Sequence, residues 1–100
     1  MSGPGRLVDI GGRTLHAVIA GEGPVSVVLE AGGFAWSTDW EPVIAALGPD
    51  ARSLAYDRAG LGWSAPGPKP RDLAAHVTDL DALIEATDLP PPYVLVGASY

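Results

Sequence analysis

The chain has 100 residues, 47% of them hydrophobic and 18% charged, proportions that suit one small globular domain and exclude a disordered segment. Its net charge of -6, with six cations scattered along the chain at Arg6, Arg13, Arg52, Arg58, Lys69 and Arg71, leaves no basic patch for nucleic acid. The absence of cysteine removes disulfides, thiol catalysis and Cys-ligated metals together, and neither an apolar leader core nor an apolar run near the ~18 residues that span a bilayer occurs. A cytoplasmic protein with no membrane or nucleic-acid partner is expected, its oligomeric state left open.

Residues 7–10 and 14–20 read as two strands joined through Gly11-Gly12, a dipeptide that accepts the positive φ of a tight antiparallel hairpin. Alternation puts Leu15, Ala17 and Ile19 on one face and Thr14, His16 and Val18 on the other. His16, beside an apolar neighbour on a sheet face, reads as structural. Gly21-Glu22-Gly23-Pro24 breaks the pattern. Residues 25–31 form a nearly continuous apolar run, the mark of a parallel strand buried on both faces, and Gly32-Gly33 follows at once.

Ser37 or Thr38 can cap a helix carrying Trp40, Val43, Ile44 and Leu47 on one face, with Pro42 in its first turn and Gly48-Pro49 as its stop. Residues 51–56 are the next expected parallel strand. Its exit loop is Asp57-Arg58-Ala59-Gly60-Leu61-Gly62-Trp63-Ser64, and carboxyl ends of strands form the functional rim of α/β sheets. Asp57 and Arg58 read as braces of that loop and Ser64 as a turn hydroxyl. The glycines do not make a G-x-G-x-x-G phosphate loop, so no cofactor is expected. Pro66, Pro68 and Pro70 stiffen the linker that follows.

Asp72 can cap a second helix, in which Leu73, Val77, Leu80 and Ile84 make an apolar stripe expected to pack on the sheet. His76 and Asp79 lie three residues apart and are expected to pair on the helix surface. With no third ligand close by, no metal site is expected. Pro90-Pro91-Pro92 ends the helix and launches a last strand, 93–96, which reads as buried. It runs into Gly97-Ala98-Ser99-Tyr100. Small residues at 97 and 98 permit the sharp strand-to-helix turn that pushes a serine Oγ out of a sheet, the device called a nucleophile elbow.

Three segments in this order, Val27-Val28-Leu29-Glu30-Ala31-Gly32-Gly33, Tyr56-Asp57-Arg58-Ala59-Gly60-Leu61-Gly62-Trp63-Ser64 and Val94-Leu95-Val96-Gly97-Ala98-Ser99, resemble the N-terminal third of an α/β-hydrolase fold enzyme. The resemblance runs over nearly the whole chain. It implies an α/β fold, a mostly parallel sheet with an N-terminal antiparallel hairpin and crossover helices, in which residues 1–100 are the N-terminal part of a single domain.

It also implies roles. Ser99 would be the nucleophile, where an Asp at 99 would instead have pointed to epoxide hydrolases or haloalkane dehalogenases. Ala31-Gly32 stands where many relatives have His-Gly, which makes Gly33, with Phe34 as second choice, one backbone donor of the oxyanion hole and Tyr100 N–H the other. Phe34 and Trp36 would line an acyl pocket or merely cover the loop. The family's triad acid and histidine follow the serine, so both are expected beyond Tyr100, and His16 and His76 lie on the wrong elements to replace them. The parent is expected to be a serine hydrolase cleaving a small-molecule ester, amide or related acyl bond, and residues 1–100 alone to be inactive and not a stable monomer. The competing reading is a non-catalytic binding module or truncated isoform on the same fold.

Overall fold

The computed structural model describes residues 5–30, 40–69 and 71–97. In chain order the elements are β1 (Arg6–Asp9), β2 (Thr14–Ala20), β3 (Ser26–Glu30), α1 (Glu41–Leu47), β4 (Arg52–Tyr56), α2 (Leu73–Thr87) and β5 (Tyr93–Gly97). The strands form one mixed sheet in the order β1-β2-β4-β3-β5. β1 with β2 and β2 with β4 are antiparallel, whereas β3 pairs in parallel with both β4 and β5. This is the expected α/β arrangement, with a parallel centre and an antiparallel N-terminal margin.

Local chemistry explains the turns. Gly11 and Gly12 take φ of 120° and 93°, and their N–H groups donate to Asp9 Oδ1 at 2.7 and 2.9 Å. Those two backbone donors hold the Asp9 carboxyl below its usual value. α1 carries Pro42 in its first turn, as expected, and ends at Gly48 with φ 76°. Its N-cap is Trp40, which offers no side-chain bond; Ser37 and Thr38 lie outside the described residues. Asp72 caps α2 by accepting from Ala75 N at 2.9 Å.

Side-chain alternation divides the core between the two sheet faces. On one face Leu15 and Ala17 of β2, Val28 of β3, and Leu54 and Tyr56 of β4 meet Leu83 of α2 together with Val8 and Leu89. On the other, Leu29 and Ala55 meet Trp40 and the partly buried Ile44 of α1. The two helices therefore cover opposite faces. α1 carries the chain from β3 to β4, and α2 carries it back past β3 to β5.

Two expectations are corrected on α2. The stripe Leu73, Val77, Leu80, Ile84 does not pack on the sheet as a unit, for Leu73 and Val77 are 80% and 56% exposed. Leu80 and Ile84 are only partly buried, and the inward line is Asp79 and Leu83. The second correction gives the physical reason. Asp79 is not paired with His76; its carboxylate is gripped by Arg13 and Arg71, which neutralise it and let it face inward, rolling the first turns of the helix outward.

β5 has the composition of a strand that is interior in a complete fold, and within residues 1–100 it presents the apolar edge expected of it there. It pairs with β3 on one side, and Tyr93, Val94, Leu95 and Val96 are all exposed. An uncovered apolar edge is a template for strand pairing. A polypeptide of residues 1–100 is accordingly expected to self-associate with rising concentration in sedimentation velocity. Leu95→Lys, which charges the most exposed of these side chains, should restore monomer; a concentration-independent wild-type monomer would contradict this reading of the edge.

Candidate functional site

Because α1 and α2 leave adjacent parallel strands toward opposite faces, a crevice opens at the carboxyl ends of β3 and β4, the place where open α/β sheets bind ligands. The last residues of three strands meet there. Glu30 ends β3, Tyr56 ends β4, and Gly97, which ends β5, sits in register with Glu30. Tyr56 donates its phenolic hydrogen to Glu30 Oε2, and Arg58 Nε lies 3.5 Å from Glu30 Oε1. Burial, then the hydrogen bond to Glu30, raise the Tyr56 phenol above its ordinary value of 10.0. Beside this cluster a pocket of about 240 Å³ is walled by Glu30, Tyr56 and Arg58 and by Leu73, His76 and Val77 of α2.

The loop after β4 is fixed by buried polar groups. Asp57 and His16 are both fully buried, and His16 Nδ1 donates to Asp57 Oδ2 at 3.0 Å. The same oxygen accepts from Trp63 N at 3.0 Å. On its other side the imidazole accepts from Gly5 N at Nε2, 2.9 Å away, which assigns the ring proton to Nδ1 and makes His16 neutral. Ser64 Oγ accepts from His16 N at 2.8 Å and donates to Asp57 O. Trp63 covers the pair, its ring centroid 4.9 Å from that of His16. Gly62 is required at the tip: its φ is +53°, and a Cβ there would come within 2.3 Å of Asp57 Oδ2.

Serine, histidine and aspartate are thus together at the rim, but they do not make a hydrolytic triad. The Ser64 hydroxyl engages two backbone groups instead of the imidazole, and the ring nitrogen that would take a proton is held by Gly5 N–H. Asp57 braces the loop and Ser64 is a turn hydroxyl, as the sequence suggests. His16 is structural. His76 lines the pocket with its Nδ1 buried and unbonded, away from Asp79. Among the described residues no group of three His, Cys, Asp or Glu could hold a metal, and no helix is long and apolar enough to cross a membrane.

The residues assigned by resemblance to chemistry, Gly33, Phe34, Trp36, Ser99 and Tyr100, lie outside the described residues. Their points of attachment, Glu30 and Gly97, are adjacent in register. Sequence reasoning missed the Glu30–Tyr56 contact. Its one available signal is a carboxylate at the end of the apolar run Val27-Val28-Leu29, a position where an acid needs a partner.

A family model described as the alpha/beta hydrolase fold matches residues 25–100. The uncharacterized protein YqjL of Bacillus subtilis (strain 168) is 36% identical over 80 residues, covering 80% of this chain and 32% of that protein. Among solved structures, the haloalkane dehalogenase DatA from Agrobacterium tumefaciens C58 superposes with a TM-score of 0.81 at 30% identity, over 98% of this chain and 34% of its own. E-2-(acetamidomethylene)succinate hydrolase superposes with a TM-score of 0.80 at 30% identity, over 94% and 34%. The chain spans about a third of the length of these relatives.

Two outcomes follow from the rim. Asp57→Ala removes the acceptor of His16 Nδ1–H and Trp63 N–H, at about 1–3 kcal/mol for each buried donor. Urea unfolding should show a loss of roughly 2–6 kcal/mol by the same reckoning, and a loss below about 1 kcal/mol would show the brace to be dispensable. The raised Tyr56 value sets an alkaline limit. Its contribution to stability is complete below 10.0, the unfolded value, and is lost as pH climbs through the higher folded value. Tyr56→Phe should flatten that alkaline decline, and ultraviolet titration should show one phenol fewer ionising late; an unchanged profile would remove Tyr56 as its source.

Proposed function

This chain belongs to the α/β-hydrolase fold family, and from that premise we propose that the protein of which it forms part is a serine hydrolase using Ser99 to cleave an ester, amide or related acyl bond. The observation that carries the reading is the register of Glu30 with Gly97. Ser99 follows Gly97 by two residues and Gly33 follows Glu30 by three, so at no more than ~3.6 Å per residue both stay close to their adjacent strand ends.

Ser99 Oγ attacks the substrate carbonyl, and negative charge develops on its oxygen. The backbone N–H groups of Gly33 and Tyr100 stabilise that oxyanion, each worth about 2.7–4 kcal/mol. Expulsion of the leaving group gives an acyl-enzyme at Ser99, which water then hydrolyses. His16 cannot be the general base, since both of its ring nitrogens are engaged. The base and its orienting carboxylate come from polypeptide beyond Tyr100, so residues 1–100 alone are inactive. Position 99 is a serine, where by the family resemblance an aspartate would have pointed to a dehalogenase or epoxide hydrolase.

A fluorophosphonate probe on the full-length protein tests the assignment. Wild type should label covalently, Ser99→Ala should not, and acyl-ester turnover should fall by a factor on the order of 10⁶. Labelling that survives Ser99→Ala would overturn the nucleophile.

A further inference from the structure

At the β1–β2 turn, the start of α2 and the proline-rich linker line a second pocket of about 210 Å³. Arg13 of the β1–β2 turn, Lys69 of the linker and Arg71 ahead of α2 all line it, as does Asp79. Three cations here face a single carboxylate, in a chain whose overall charge is -6. Each oxygen of Asp79 already accepts from an arginine: Arg13 Nη2 donates to Oδ1 and Arg71 Nη2 to Oδ2.

The guanidinium groups are not fully bonded. Arg71 Nη1 donates to Pro68 O at 3.0 Å, but Arg13 Nη1 and Arg71 Nε are buried and bonded to no acceptor. Leaving charged donors unsatisfied in a buried position is costly. The backbone at Gly67 lies against the same nitrogens, where a Cβ would come within 2.5 Å of Arg71 Nη1 and 3.0 Å of Arg13 Nη1. The donors themselves are buried, but both arginine side chains keep a solvent-facing part, 23% and 19% exposed, and the pocket they line opens to solvent at exposed Lys69.

We propose that Arg13, Lys69 and Arg71 form a binding site for a small oxyanion, a phosphate or carboxylate group, in the pocket between the β1–β2 turn and the start of α2. Oxyanions are the ligands that guanidinium forks recognise best, through paired charge-assisted N–H···O bonds. Asp79 serves as the fixed counter-charge that draws the two arginines together and orients them, and the ligand takes the donors that Asp79 leaves. Lys69 adds a third positive charge at the mouth. The site shares no residue with the proposed hydrolytic machinery and does not depend on it.

Calorimetric titration of the full-length protein with inorganic phosphate, and separately with acetate, at ionic strength held constant with chloride, tests the proposal. Saturable binding of either anion is expected, phosphate alone marking a tetrahedral ligand and acetate alone a planar one. Arg13→Lys keeps a cation against Asp79 but removes the fork, and should weaken binding about tenfold or more. Gly67→Ala should weaken it by crowding the same nitrogens. Lys69→Gln, at an exposed position apart from the Asp79 pairs, should weaken it several-fold without changing the folded state. No heat beyond that of chloride, or affinity unchanged in both Lys69→Gln and Gly67→Ala, would overturn the proposal.

Discussion

Neighbouring parallel strands cannot be joined by a tight turn, and each crossover between them is held to one hand. From that constraint the placement of everything else follows. The step from β3 to β4 goes one way across the sheet and the step from β4 to β5 goes the other, so one hand of crossover demands that α1 and α2 lie on opposite faces. The core divides accordingly, Leu29 and Ala55 facing α1, Val28 and Leu54 facing α2. The chain consequently parts at the carboxyl ends of β3 and β4, and a crevice opens where Glu30, Tyr56 and Arg58 gather.

Much of this was legible because backbone chemistry at the turns and strand ends is written locally. Gly11-Gly12, Gly48-Pro49 and the Asp72 cap each act within a few residues of where they stand, and the alternating apolar runs need only a period of two. What escaped the sequence depends on long-range pairing. The stripe from Leu73 to Ile84 has helical spacing, yet that spacing alone does not say how far a helix is rolled. The roll was decided by Arg13, 66 residues from Asp79, in a segment where it looked like one of several scattered cations. The His16–Asp57 pair is of the same kind: each residue could be read as structural, but not that they were partners.

β5 shows the opposite relation between sequence and structure. Tyr93 to Val96 has the composition of an interior strand, and in these 100 residues it is an edge with apolar side chains exposed on it. The sequence is a statement about the environment for which the strand is suited, whereas the structure reports the cover that the described residues supply. The likeness to proteins about three times as long is consistent with that difference.

The serine, histidine and aspartate at the rim show why a site must be read from hydrogen-bond direction and not from residue types. A general base needs a ring nitrogen with an accessible lone pair aimed at the hydroxyl it activates. In His16 that lone pair accepts Gly5 N–H, and the Ser64 hydroxyl donates to a carbonyl. His16 Nδ1–H to Asp57 and His16 N–H to Ser64 Oγ hold the loop of residues 57–65 against β2, a continuation of the sheet extended by Asp57 N to His16 O at 3.0 Å and Ala65 N to Thr14 O at 2.9 Å. Rigid support of this sort is what a catalytic constellation on neighbouring loops requires. With Tyr56 tied to Glu30 at the end of β3 by a partly buried bond and Asp57 tied to His16 at the end of β4 by a fully buried one, both shoulders of the crevice are fixed by polar contacts.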